Sequence, residues 1–265
     1  MAMLATRIGD DVLLLILNGG PANAMSSELA GDLRACLTDI PADIAAIVVS
    51  GTDGGAFCAG SDIAELDRDG PEALLNLEGA ALDALAEAPV VTIAAVDGVA
   101  FGGGMELAAC CDFVVAGGKA RFGLPEVRLG VFPGLGAPVR VTRRIGYTRA
   151  LEMMLLGSEI DAETALRWHF ANFVVPAGET TREALKLARR LASGPRDAIR
   201  MIRQSMREAV GRDDAEAISS TLARAIAHGE SAEAEEGLRA FMARQKPDFR
   251  AARASAGSRR GRKKL

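Results

Sequence analysis

Two acids, Glu106 and Glu126, are the residues of this 265-residue chain whose types and surroundings promise proton-transfer chemistry. Glu106 stands three residues after Gly103 in the run Gly102-Gly103-Gly104, so a helix starting there carries its carboxyl on the same face within the first turn. Bare glycine backbone at a helix start exposes NH groups at the positive end of the helix dipole, a setting that favours negative charge. Glu126 lies in the Gly- and Pro-rich stretch KARFGLPEVRLGVFPGLGAP (119–138). A second free amide is expected at Ser61, in the glycine-punctuated turn GAFCAGSDIAEL (55–66) ahead of a helix. The chain thus offers two carboxylates and two exposed amides, one acid standing beside a helix start that favours negative charge. Taken alone, the glycine segment also has a plainer explanation: the glycines let strand and helix pack closely, and Glu106 only complements the helix dipole.

Other chemistries lack their residues. There is no GxxxxGK[ST], and Gly98 to Gly104 does not fit GxGxxG, which removes phosphate-loop and dinucleotide readings. No Ser or Cys lies in a GxSxG elbow, and His169 and His228 are far apart, so a histidine-based triad is not expected. The four cysteines, Cys36, Cys58, Cys110 and Cys111, form no CxxC pair; reduced thiols are expected, with neither a disulfide framework nor a metal site. Asp62 reads as a helix N-terminal acid and Asp112 as structural.

The elements that must position these residues alternate. VLLLIL (12–17), IAAIVVS (44–50) and VVTIAAV (90–96) are continuous β-branched and aliphatic runs of buried-strand type. Between them Ser26 or Ser27 caps a helix ending before Pro41, and Pro71 opens another that runs to about Glu87. This alternation predicts α/β layering. Trp168, Phe170 and Phe173 are expected in the core, and Leu66, Leu74, Leu77 and Leu82 read either as core or as the lining of an apolar tunnel. From Pro195 onward the pattern is helical only, with Ile199, Ile202, Met206 and Val210 in one apolar stripe, then helices near 214–227 and 231–245 broken around Gly229. Such an appendage suits packing on a neighbouring subunit.

With 49% hydrophobic and 25% charged residues the chain has a globular composition, and aromatics at 4% leave the interior to Ala, Val, Leu and Ile. Its apolar runs are too short or too interrupted by glycine to cross a bilayer, and the N-terminus has no secretory leader, so no membrane contact and a cytoplasmic location are expected. Residues 250–265 hold seven of the 31 Lys and Arg and none of the 35 acids. The body is therefore acidic, which argues against a nucleic-acid partner. The basic tail reads as a solvated extension or as a contact for an anionic partner.

In order along the chain, LNGGPANAM (17–25), FCAGSDI, AAVDGVAFGGGMELAACCDF, FGLPEVRLGVFPGLG, GSEIDAETALRWHFANFVVP (157–176) and AFMARQKPDF (240–249) resemble the crotonase (enoyl-CoA hydratase and isomerase) superfamily over nearly the whole length. The resemblance implies an α/β fold built as a crotonase-like ββα spiral over residues 1–195 holding the acyl-CoA site. A helical C-terminal trimerisation region (196–249) and the basic tail (250–265) would follow. It implies a coenzyme A thioester substrate, with coenzyme A part of that substrate and no separate cofactor, and a homotrimer or dimer of trimers. By the same resemblance the backbone NH groups of Ser61 and Gly103 form an oxyanion hole, each such donor being worth on the order of 10² to 10³ in rate. Glu106 and Glu126 grip the water added across C2–C3, with the NH of Gly134 as a third contact to it. Ala59, Asp62, Ile63, Gly102 and Pro133 bind substrate.

Both acids together imply a hydratase or dehydratase, because an isomerase usually keeps only the acid matching Glu126. The expected reaction is reversible syn hydration of a trans-2-enoyl-CoA to a 3-hydroxyacyl-CoA, a lyase reaction of fatty acid metabolism. Alternatives are a sibling reaction (dehydration of a hydroxyacyl-CoA such as carnitinyl-CoA, or isomerisation) or a non-catalytic acyl-CoA-binding scaffold. The sequence departs from the family pattern in three places. Ser61 replaces the common Ala, Pro138 interrupts the usual GGTQRL, and Ala64 stands near where a Lys is often found. Arg244 matches a basic position that can reach coenzyme A of a neighbouring subunit, although as a surface helix Arg its plainer reading is a solvated side chain.

Overall fold

The computed structural model of the chain describes residues 2–262 apart from Asp10 and Asp53, without the side chains of Asp69 and residues 256–262. Two compact units are present, Met1–Arg189 and Arg190–Leu265, so the division falls inside a helix, Thr180–Ala192.

The first unit begins with β1 (Met3–Ile8), β2 (Val12–Leu17), α1 (Ser27–Thr38) and β3 (Ala46–Ser50), followed by α2 (Ile63–Asp69), α3 (Pro71–Glu87), β4 (Val91–Val96) and β5 (Val99–Phe101). It continues with α4 (Gly103–Cys110), β6 (Phe113–Gly117), β7 (Arg121–Gly123), a 3₁₀ turn at Glu126–Leu129, α5 (Ala137–Ile145) and α6 (Tyr147–Leu156). Then come β8 (Glu159–Asp161), α7 (Ala162–Arg167), β9 (Phe173–Val175) and α8 (Thr180–Ala192).

The large sheet runs β1-β2-β3-β4-β6-β9, parallel except for the antiparallel β1–β2 pair. Every residue of β3 and β4 is buried, as their unbroken aliphatic runs require of a parallel sheet covered on both faces. β1 escaped the sequence reading because it is an edge strand with four consecutive exposed residues and so carries neither alternation nor a buried run. A second sheet runs β5-β7-β8, and an isolated bridge between Cys58 and Ala100 extends it toward the segment ahead of α2.

The chain therefore repeats one motif: a strand of the large sheet, a short strand or bridge in the second, then a helix or 3₁₀ turn. β3–Cys58–α2, β4–β5–α4 and β6–β7–Glu126 are successive turns of this ββα spiral. Ser26 caps α1 by accepting from the Leu29 NH, and Pro71 opens α3. Asp112 is structural, its carboxylate accepting from the NH and hydroxyl of Thr92. Phe170 is fully buried against Phe122 and Trp168 packs at the core margin, but Phe173 is 46% exposed, contrary to expectation. It lies on β9, the last strand of the sheet, which has a neighbour on one side only. Leu74 and Leu82 are core residues, whereas Leu66 and Leu77 are half-buried.

The second unit holds α9 (Arg196–Glu208), α10 (Asp214–Gly229), α11 (Ala232–Met242) and α12 (Phe249–Arg262). Of the predicted stripe Ile199, Ile202, Met206 and Val210, the last three are exposed in the single chain and Ile199 is half-buried. Arg253, within the basic tail, is tucked in, donating to the Gly194 carbonyl and to the buried Glu233 carboxylate. Lys263 and Lys264 lie outside the described residues. No described helix is long and apolar enough to cross a membrane.

Candidate active site

The site grows from the junction of β5 and α4. Gly102 caps the helix at φ +53°, ψ −125°, a conformation closed to residues with a side chain, and its NH is anchored to the Gly123 carbonyl of β7. A Cβ on Gly104 would lie 2.0 Å from the Cys58 carbonyl oxygen, so only glycine lets the helix start pass this close to the segment ahead of α2. This contact brings Ser61 to Gly103: a Cβ on Gly103 would be 3.6 Å from both the backbone nitrogen and the hydroxyl of Ser61.

The orientation of Ser61 follows from a bridge to Met25. Gly60 gives its carbonyl to the Met25 NH, and Asp62 gives its NH to the Met25 carbonyl. In such a parallel bridge the residue between the two bonds turns its own NH the other way. Among the described residues neither the Ser61 NH nor the Gly103 NH, which is the first of α4, donates within the chain.

Glu106 is 2% exposed, and its Oε1 accepts from the Ala137 NH at 2.8 Å. Burial pushes its carboxyl up to about 7 and the Glu126 charge adds to this, while the Ala137 and Leu135 amides and the Arg140 guanidinium oppose it. Ala137 is the first residue of α5, so the two amides come from the helix start and the loop before it. Arg140 holds that loop, donating to the Leu135 carbonyl while paired with Asp83.

Glu126 opens the 3₁₀ turn after β7. Its Oε1 lies against the start of α4, 3.2 Å from where a Cβ of Gly102 would stand, and its Oε2 is enclosed without a hydrogen-bond partner from the chain. Burial raises this carboxyl too, against a bond from its own NH. The structure thus unites Gly102, Gly103, Ser61, Glu106 and Glu126, which are spread over 66 positions of sequence.

Other expected residues take different places. The Asp62 carboxylate caps α2, accepting from the Ala64 and Glu65 amides. Ile63, first residue of α2, is 59% exposed, Ala59 is exposed with its NH given to the Ala22 carbonyl, and Pro133 is buried. Gly134 lies exposed in the loop before α5.

Sequence reasoning missed Glu78, which is fully buried on α3. Its Oε2 accepts from the Ser61 hydroxyl at 2.9 Å, and its Oε1 is enclosed without a partner. Burial lifts this carboxyl to about 7 as well; the Ser61 bond opposes the shift, and the charges of Glu106, Glu65 and Asp62 reinforce it. The missed signal was an acid within the buried stripe Leu74, Ala81, Leu82, Leu85 of a helix. The amides of Leu135 and Ala137 were missed too, although Gly134-Leu135-Gly136 ahead of a helix start marks free NH groups.

This constellation sits on a chain with many relatives. The family described as enoyl-CoA hydratase/isomerase matches residues 7–252. A probable enoyl-CoA hydratase of Mycobacterium tuberculosis is 36% identical over 234 residues, 86% of this chain and 89% of that protein. The 2,3-dehydroadipyl-CoA hydratase of Escherichia coli is 36% identical over 249 residues, 90% and 95% of the two chains. A crystal structure of an enoyl-CoA hydratase subunit from Geobacillus kaustophilus superposes with a TM-score of 0.88 at 36% identity, covering 94% of this chain and 98% of that one. With its spiral, its glycine-opened helix and a match that spans nearly its full length, the chain belongs to the enoyl-CoA hydratase/isomerase family of the crotonase superfamily.

Proposed function

We propose that the protein is an enoyl-CoA hydratase that reversibly adds water, syn, across the C2–C3 bond of a trans-2-enoyl-CoA to give the 3-hydroxyacyl-CoA. The observation that carries this reading is the carboxyl pair: Glu106 enclosed at the glycine-opened start of α4, and Glu126 against the same helix start with an enclosed oxygen left for a ligand. One ionised carboxylate takes a proton from water while its neutral partner gives one to C2, a division that mutual repulsion and burial promote. The thioester oxygen accepts from the free NH groups of Ser61 and Gly103, which hold the enolate charge that develops there. The Gly134 NH gives the third contact to the water. Ala59, Ile63, Gly102 and Pro133 border the acyl-CoA groove beside Asp62, whose substrate contact is made by its backbone because its carboxylate caps α2. Coenzyme A enters only as part of the substrate.

The reading extends to assembly as a homotrimer or a dimer of trimers, supported by the exposed apolar faces of the second unit, and to a cytoplasmic location, supported by four free cysteines. The test is loss of the enone absorbance of crotonyl-CoA on addition of enzyme, with product mass one water heavier. An absorbance that never falls, with crotonyl-CoA or with longer and dicarboxylic enoyl-CoA esters, ends the hydratase reading.

A further inference from the structure

Glu78 is a buried carboxyl that hydration does not use. It meets the site through one group, the Ser61 hydroxyl, which donates to its Oε2 at 2.9 Å. The same serine carries one of the two free amides, and the other belongs to Gly103 beside it. In the serine-hydrolase arrangement the nucleophile's own NH holds the carbonyl oxygen while its Oγ, bonded to a base, attacks the carbonyl carbon; here the Ser61 Oγ is bonded to Glu78 and lies 3.6 Å from where a Cβ of Gly103 would stand. The position needs only an amide for hydration, so the hydroxyl and its buried acid form a second arrangement laid over the first.

We propose that Ser61 and Glu78 form a nucleophile and base pair that gives this protein a second activity, hydrolysis of acyl-CoA thioesters through an acyl-Ser61 ester. Ser61 Oγ bonds to the thioester carbon as its proton passes to Glu78, the C–S bond breaks, and coenzyme A leaves as its thiolate. Water then adds hydroxide to the ester carbon, the Oγ–C bond breaks, and Glu78 returns its proton to Oγ. The remaining proton of the water neutralises the thiolate, so one acyl-CoA and one water yield one carboxylic acid and one coenzyme A. Full enclosure of Glu78 suits this role, since it leaves the carboxyl one outlet, the serine. Its position near 7 keeps an ionised fraction available at neutral pH. This inference rests on the reading of Ser61 and Gly103 as the thioester cradle, and it extends that reading to a different bond of the substrate.

Hexanoyl-CoA tests it, because a saturated chain has no double bond to hydrate and its fate is independent of hydratase activity. Wild-type protein is expected to release coenzyme A and hexanoate above the buffer rate. Acid-quenched protein should gain the mass of one hexanoyl group on the peptide holding Ser61, or show turnover without accumulation where the second step is faster. Glu78→Gln, which keeps the shape and can still accept from Ser61, should lower coenzyme A release by about 10²-fold, and Ser61→Ala should remove the adduct. Thermal stabilisation by hexanoyl-CoA reports folding and binding for each variant. Binding without coenzyme A release by wild type overturns the pair while leaving the cradle intact. Absence of binding overturns pair and cradle together, and release that survives both substitutions places the activity elsewhere.

Discussion

Glu106 and Glu78 are both held near 7 rather than at 4.5, and in each the first cause is burial. Between those values the folded protein keeps protons that the unfolded chain has released, so stability falls as pH rises from about 4.5 to about 7 and levels off above. Glu78→Gln removes one such group while keeping its shape. At about pH 8 the variant should be more stable than wild type by up to about 3 kcal/mol, and near pH 4.5 the gain should vanish. Thermal unfolding of both proteins across this range checks the sign; a pH-independent difference would contradict it. Glu106→Gln and Glu126→Gln should each cut hydration kcat by about 10² to 10⁴ while leaving the affinity for a saturated acyl-CoA ester nearly unchanged, read by titration calorimetry beside the crotonyl-CoA assay. Hydration should follow a bell-shaped pH profile with one limb near 7, because the pair works with one proton between two carboxyls.

At the scale of elements, the start of α4 sets the geometry. Gly104→Ala would drive a Cβ into the Cys58 carbonyl, which is backbone and cannot turn aside. It should cost about 3 kcal/mol in urea unfolding and separate the Gly103 and Ser61 amides, so activity falls further than stability alone explains. Gly79, inside α3 with open space around its Cα, is the contrasting case. Gly79→Ala should stabilise by about 0.5–1 kcal/mol without touching the site.

At the scale of the whole molecule, the second unit exposes apolar faces on three helices: Ile202, Met206 and Val210 on α9 and just beyond it, Ile218, Leu222 and Ile226 on α10, and Leu238, Phe241 and Met242 on α11. A repeated face of this kind is what a symmetric oligomer covers. Light scattering coupled to size exclusion should give three or six chains per particle. Replacing Ile218 and Leu222 together by Asp should shift the protein to smaller species; a wild-type monomer at micromolar concentration would refute the assembly.

Local sequence signals mark several of the elements and two of the three acids gathered at the site, Glu106 and Glu126, while β1 carries no such mark and Glu78 shows only as an acid on a buried helix face. Unbroken aliphatic runs gave β2, β3 and β4, Ser26 and Pro71 marked helix starts, and Gly103 followed by Glu106 identified a helix opening with a carboxyl on its face. These signals are local, because caps, periodicity and glycine runs act over a few residues of chain. Which groups meet is set by the fold. The Met25 bridge turns the Ser61 amide, the start of α5 delivers its NH to Glu106, and the packing of α3 brings Glu78 to the Ser61 hydroxyl across seventeen residues of chain. Such contacts are non-local, and a pattern along one helix reveals that an acid lies on its buried face but not which neighbour the fold will set against it.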